Sequence, residues 1–497
     1  MENMAARLYS AAQVRELDRR AIEDHGIPGY TLMQRAARAA WTAARYRWPN
    51  ARSVAVFCGP GNNGGDGYVV AGLARADGFA VQVFECDDAD RRGDARLARQ
   101  DWLTVGAVTR WSAGTTTLPA VDLLVDALYG TGLTRAPVGD AADAIAAVNA
   151  AHRAGSGVLA LDIPSGLVAD TGAIPGPVVE ADLTVSFIAA KLGLHTASGT
   201  AVCGEVLLDD LAVPASVHDG LTPIATLTDH ADLQRALPTR NRSGHKGTHG
   251  HVLLVGGDHG MAGAILLAAR AALRSGAGLV TVATRAAHAV ALTAAQPDVM
   301  FRSVESIAEL QPLLEQADVI AVGPGLGLGD WSRRLFDAVL ASERPKVVDA
   351  DALNLLATSP QRRDDWVLTP HPGEAGRLLG IDTRAVQGDR VAAITALQAR
   401  YGGAVVLKGA GSLIRGTVLR LCPFGNPGMG VGGMGDVLTG VTAAIIAQGR
   451  LAGLGLEAAA AAAVLAHALA GDRVARDGER GLIASDVVEA LRAVVNP

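Results

Sequence analysis

Three aspartates stand beside glycine in short runs of small and polar residues: Asp126 in DALYGTG, Asp162 in DIPSG and Asp436 at the end of GGMGD. A carboxylate so placed can take or return a proton, and glycine neighbours leave backbone amides free to face an anion. Two longer glycine-rich stretches add to this: GNNGGDG at residues 61–67 and NPGMGVGGMGD at residues 426–436. Each follows a β-rich segment and runs into an apolar, helix-like one, the arrangement in which amides and a helix N-terminus close on phosphate. Two such cradles far apart in one chain imply two nucleotide-handling sites, one per domain. GNNGGDG lacks the lysine and hydroxyl of a Walker loop and is no GxGxxG fingerprint, yet its run of turn-type residues exceeds what a turn needs. Asn63, Asp126 and Ser165 offer the oxygen atoms that hard cations prefer; the alternative is that Asp126 and Asp162 only cap turns and that Asp436 is an ordinary helix N-cap.

These residues need a frame. In the first half, apolar runs at residues 53–57, 81–84, 123–126 and 158–162 predict strands, with further strands at 183–187 and 205–208. Helical patterns lie between them: from about residue 68, at 91–105 and at 140–153. The alternation predicts an α/β fold with a Rossmann-like, doubly wound parallel sheet. The segments 61–67, 126–132 and 162–166 then fall at the carboxyl edge of that sheet, where such folds bind ligands in one crevice. The pattern degrades between residues 212 and 250, and a boundary near 217–223 divides the chain into domains 1–218 and 223–497. A second α/β series follows, with strands at 251–255, 279–283, 319–322, 347–349, 367–368 and 405–407.

Bulk composition narrows the partners. A chain of 497 residues exceeds a single core, and 49% hydrophobic against 19% charged residues provides ample burial. The net charge is −6, no basic run occurs and aromatics are 4%, so nucleic acid is excluded as a partner on charge and stacking grounds. Cys58, Cys86, Cys203 and Cys422 form no CxxC pair, which fits a reducing compartment better than zinc or disulfides. His245, His249, His251 and His259 match no zinc spacing. Charges at the N-terminus oppose a signal peptide, and the apolar run 458–470 is too short to span a bilayer. The expectation is a cytoplasmic protein acting on small molecules, without membrane association, and assembled as a homo-oligomer.

Taken together, GNNGGDG, DALYGTG and DIPSG resemble the NAD(P)H-hydrate epimerase family over roughly residues 8 to 215. The second half resembles the ADP-dependent NAD(P)H-hydrate dehydratases, which have a ribokinase-like fold, through GGDHGMAGA, GPGLG, DADALN, TPHPGE, KGAGS and NPGMGVGGMGD in that order. The resemblance implies a fusion that repairs NADHX and NADPHX, the C6-hydrated forms of NADH and NADPH. One half would interconvert the R and S epimers; the other would dehydrate the S form at the expense of ADP, giving AMP and phosphate. It further implies K+ held by Asn63, Asp126 and Ser165, and Mg2+ accompanying the nucleotide. Asn62, Asn63, Gly64, Gly65 and Asp66 would contact substrate, as would Gly130, Thr131, Gly132, Leu133, Thr134, Arg135, Ala136 and Asp162. In the second half Ala262, Gly325, His371 and Asp436 would meet the hydrate. Lys408, Gly409, Ala410, Gly411, Ser412 and Gly435 would hold the nucleotide.

Within that reading Asp436 is the base for the C6 hydroxyl, the amides of residues 432–435 steady the transferred phosphoryl group, and Asp162 is the epimerase acid–base residue. Asp349 and Asp351 are alternative holders of magnesium waters. Val431 departs from the small hydroxyl residue usual in the family; a phosphate hydrogen bond lost there is worth about 1 kcal/mol. The rival reading is a vitamin or sugar kinase with a nucleotide-binding N-terminal domain, since fold alone does not separate the two.

Overall fold

The computed structural model describes residues 6–450 and 453–496. The chain divides into two compact units, Met1–Thr226 and Leu227–Pro497.

The first unit is built on strands β1 (Ser53–Cys58), β2 (Ala80–Glu85), β3 (Val108–Arg110), β4 (Leu123–Ala127), β5 (Gly157–Leu161), β6 (Leu183–Phe187) and β7 (Glu205–Asp209). They lie in the order β3-β2-β1-β4-β5-β6-β7, every pair parallel. β4, β5 and β6 are buried at every position, as continuous apolar runs covered on both faces must be. Helix Gly29–Arg47 turns Leu32, Met33, Ala36, Ala37, Ala40 and Trp41 onto one face, against Val54, Val56, Leu159 and Val185. The strand order reverses between β1 and β4, so the loops leaving those strands diverge and open a crevice.

The second unit carries β8 (His251–Val255), β9 (Leu279–Thr284), β10 (Met300–Ser303), β11 (Val319–Val322), β12 (Lys346–Val348), β13 (Trp366–Leu368) and β14 (Ala404–Leu407), then β15 (Ser412–Arg415) and β16 (Leu419–Cys422). Their order is β10-β9-β8-β11-β12-β13-β14-β15-β16, parallel as far as β14 and antiparallel beyond. Helices Met434–Gly449, Leu456–Ala475 and Ala484–Val494 bring alanine and valine into one core against β8, β11 and β14. Alanine-rich faces allow close approach of these helices at little side-chain entropy loss. Leu456–Ala475 extends beyond the run expected from sequence and is long and apolar enough to cross a bilayer, but 61% of its apolar window is buried inside the protein.

The structure corrects two readings of the glycine motifs. The helix after β1 starts at Asn62, not near residue 68, so GNNGGDG is its first turns and not a loop. Its glycines serve packing: a Cβ at Gly64 would collide with the Gly59 carbonyl, and one at Gly67 would stand 2.6 Å from Ala127 Cβ. Ser412, expected in a nucleotide loop, opens β15, because the chain folds back on β14 as a hairpin.

Candidate active sites

In the first unit a cleft of about 760 Å³ lies at the β1/β4 switch point. It gathers Asn62, Asn63, Asp66, residues 130–136 and Asp162, from the carboxyl ends of β1, β4 and β5. Gly64 and Gly65 do not line it; Gly65 packs beside Met33 and Ala95. Asp18, on helix Ala11–Arg19, enters the cleft without having been read from sequence.

Asp162 follows β5 with φ 65, a left-handed conformation uncommon for a residue with a Cβ. Lys191, fully buried, pairs with its Oδ1 and also donates to Ser186 Oγ and Phe187 O, both at 2.9 Å. Asp66 is pushed well above the usual carboxylate range by burial, then by Asp162 and Asp18. Burial likewise raises Asp18 to about 6, with Lys191 pulling it down and Asp162 up. The cleft thus holds one carboxylate paired with Lys191 beside two that burial moves toward the protonated form, Asp66 more strongly than Asp18. Such a split lets one site supply both base and acid.

The expected cation donors are not presented alike. Asn63 lines the cleft, and its buried side-chain oxygen and nitrogen have no partner. Asp126 and Ser165 are closed off and bonded to each other: Ser165 N donates to Asp126 Oδ2 at 2.7 Å and Ser165 Oγ to Oδ1 at 2.6 Å. Ser165 Oγ accepts from Tyr129 N at 2.8 Å, which also fixes the start of the 130–136 wall. Burial pushes Asp126 to about 6 against these bonds.

In the second unit Asp436 stands in the first turn of helix Met434–Gly449, whose N-cap is Gly433 at φ 91. Asp436 is therefore not the cap. Burial, then Asp349, raises it to about 7, while Lys408 pulls the other way. Lys408 is no solvated loop residue: its Nζ lies 2.7 Å from Asp349 Oδ1 and 3.7 Å from Glu374 Oε2. Burial alone would lower Lys408, but Asp349 and Glu374 outweigh it and hold it protonated. Thr439 Oγ1 donates to Asp349 Oδ2 at 2.7 Å. With both oxygens engaged, Asp349 is a poor holder of magnesium waters, and Asp351 Oδ2 already accepts from Gly327 N at 2.8 Å. A Cβ at Gly435 would stand 3.2 Å from Lys408 Nζ, so the lysine head sits against the helix N-terminus.

His371 caps helix Pro372–Leu379, its Nδ1 accepting from Gly373 N at 2.9 Å and Glu374 N at 3.3 Å. An accepting Nδ1 leaves the proton on Nε2. Burial, then Lys408, lowers His371 further and keeps it neutral. Gly325, at φ 57, packs under Met261 and Ala264, next to Ala262 at the start of helix Ala262–Arg274. Val431 is 42% exposed. Residues 408–411 form the turn between β14 and β15, and Ser412 opens β15.

Sequence reasoning passed over Lys191, Asp18, Thr439 and the role of Glu374. Lys191 had a signal: it is the one charged residue in the apolar run 183–194. Asp18 and Thr439 had none, since each acts only through a neighbour distant in sequence.

Residues 252–493 match the family described as NAD(P)H-hydrate dehydratase, and residues 29–193 match the YjeF-related protein N-terminus. The chain is 45% identical over 493 residues to the bifunctional NAD(P)H-hydrate repair enzyme of Coxiella burnetii, covering 99% of each. The chain belongs to this family of bifunctional NAD(P)H-hydrate repair enzymes. The Escherichia coli member is 42% identical over 495 residues, 99% of this chain and 94% of that one. A ribokinase-like superfamily protein of Enterococcus faecalis superposes with a TM-score of 0.50 at 30% identity, over 54% of this chain and 95% of its own. The repair-enzyme family therefore combines, in this chain, a Rossmann-like unit with a ribokinase-like one, and the kinase reading gives way to the dehydratase family.

Proposed function

We propose that the chain repairs hydrated nicotinamide nucleotides, with epimerisation of NADHX and NADPHX in 1–218 and ADP-dependent dehydration of the S epimer in 223–497. The observation that carries it is Asp436: a carboxylate raised to about 7, at a helix N-terminus and beside Lys408. A general base works best with a pKa near the working pH.

In the dehydratase site Asp436 takes the proton of the C6 hydroxyl as its oxygen attacks the β-phosphorus of ADP. AMP departs, and the phosphorylated carbon bears a group the ring nitrogen can expel. Phosphate leaves and a C5 proton is lost, which restores the dihydropyridine. Lys408 and the amides at Gly432, Gly433 and Gly435 offset the charge spread over the moving phosphoryl group. The neutral His371, whose Nε2 lies 3.5 Å from Glu374 Oε1, meets the hydrate, with Ala262 and Gly325 giving backbone room. Residues 408–412 hold the nucleotide. Mg2+ would arrive on the phosphates, as it usually does, with few protein ligands.

In the epimerase site Asp162 passes a proton from the Lys191 ammonium group paired with it to the departing hydroxide, then takes one back from the water that returns to the opposite face. Asn62, Asn63, Asp66 and residues 130–136 position the ring. K+ fits the donors present: Asn63 has a buried oxygen without a partner, and Asp126 is a buried carboxylate with no cationic side chain bonded to it among the described residues. Asn63, Asp126 and Ser165 would hold the cation, which would supply positive charge for the dinucleotide.

Four free, buried cysteines support a cytoplasmic setting. A homo-oligomer is part of the proposal and is tested by light scattering on the purified chain. The activity is tested by supplying each NADHX epimer with ADP and following the absorbance of the reduced ring. Failure to recover NADH, together with phosphorylation of a vitamin or sugar, would sink the assignment.

A further inference from the structure

Arg390 opens helix Arg390–Tyr401 and is 1% exposed. Its guanidinium donates to Leu407 O at 3.1 Å, to Lys408 O at 3.4 Å and to Gln387 Oε1 at 2.9 Å. No carboxylate is bonded to it among the described residues, and its Nε has no partner. Burial alone lowers it to about 10, leaving it charged at neutral pH. A buried cation without a counter-charge is costly, and pairing normally relieves the cost.

The place where it sits is informative. Lys408 O turns back to the guanidinium, and the peptide plane sends the Gly409 N–H the opposite way, where Ser412 Oγ accepts it at 3.3 Å. A Cβ at Gly409 would stand 2.8 Å from Arg390 Nη1, and Gly409 has φ 140, so the close approach of the guanidinium requires glycine. The cation is therefore stacked on one side of the 408–412 turn, whose Gly409 and Ala410 are exposed.

We propose that Arg390 is a positioning residue for the adenine nucleotide: it fixes the 408–412 turn through two carbonyls and places a permanent positive charge behind it, favouring the more highly charged nucleotide. This rests on the reading that the turn holds the nucleotide. The guanidinium itself does not touch the ligand; it sets amide direction and local potential. Arg390 is itself buried, and a buried charge is screened less than charge at the surface.

The test uses the full chain, with calorimetric affinities for ADP and AMP in the wild type, Arg390→Gln and Arg390→Lys. Epimerisation and the melting profile serve as controls for folding. In Arg390→Gln we expect ADP affinity to fall about tenfold and AMP affinity by about threefold or less, with kcat at saturating ADP within about twofold. Equal losses for the two nucleotides, or none, would overturn the proposal, since a merely structural role does not read ligand charge. Should Arg390→Gln fail to fold, Arg390→Lys decides: it keeps the charge, so the ADP-to-AMP ratio should stay near the wild-type value even if both affinities weaken. A collapsed ratio in a folded Arg390→Lys would overturn it. If the wild type binds neither nucleotide, the nucleotide reading of the turn fails, independently of Arg390.

Discussion

At the scale of single residues, the two sites share one arrangement, an aspartate beside a lysine: Asp162 is paired with Lys191, and Asp436 stands near Lys408 and Asp349. Asp436→Asn is expected to lower kcat for dehydration about 10²–10⁴-fold, the usual range for a general base, while epimerisation in the same preparation is unchanged. Asp436 acts only when ionised, so kcat/KM for dehydration should climb as pH rises through about 7. Stability runs the other way. The folded value lies above the ordinary 3.8, so this group's contribution is full below 3.8 and is lost as pH rises through about 7. In the first unit, Lys191→Met should impair epimerisation as severely as Asp162→Asn, because it strips Asp162 of its only ion-pair partner among the described residues. R-epimer consumption at the wild-type rate in a folded Lys191→Met protein would contradict that pairing as the source of function.

Elements decide where those residues can stand. Helix Asn62–Ala76 begins immediately after the β1 turn because Gly64 and Gly67 let it press on that turn and on the sheet. Gly64→Ala pushes a methyl into the Gly59 backbone and should destabilise the first unit by about 1–3 kcal/mol, seen as a lower melting temperature. Thr439→Val removes a 2.7 Å bond to buried Asp349; about 1–3 kcal/mol of stability should be lost and Asp436 shifted in its pH profile. The strands were legible because β-branched runs bounded by turn residues fix β4, β6, β8 and β11 almost to the residue. The start of helix Asn62–Ala76 was not, because glycine favours turns locally and only the tertiary contact with Gly59 overrides that preference. The order of the motifs made the cleft at the carboxyl ends of β1, β4 and β5 readable in advance. The sealing of Asp126 and Ser165 against each other was not readable, since it depends on a 39-residue separation closing in space.

For the whole molecule, each unit has its own run of parallel strands and its own apolar core. ADP at about 100 times its Kd should stabilise the dehydratase unit by about 2.7 kcal/mol and leave the other unmoved. A calorimetric scan that shows ADP raising both transitions equally would contradict separate sites. Helix Met434–Gly449 is buried along most of its length, from Met434 to Gly449, and it also carries Asp436. The amide of Val437, bonded to Gly433 O at 3.0 Å one residue beyond Asp436, belongs to a fully buried residue. Deuterium should enter there only through global opening, so dehydration has no partly unfolded, silenced state to pass through.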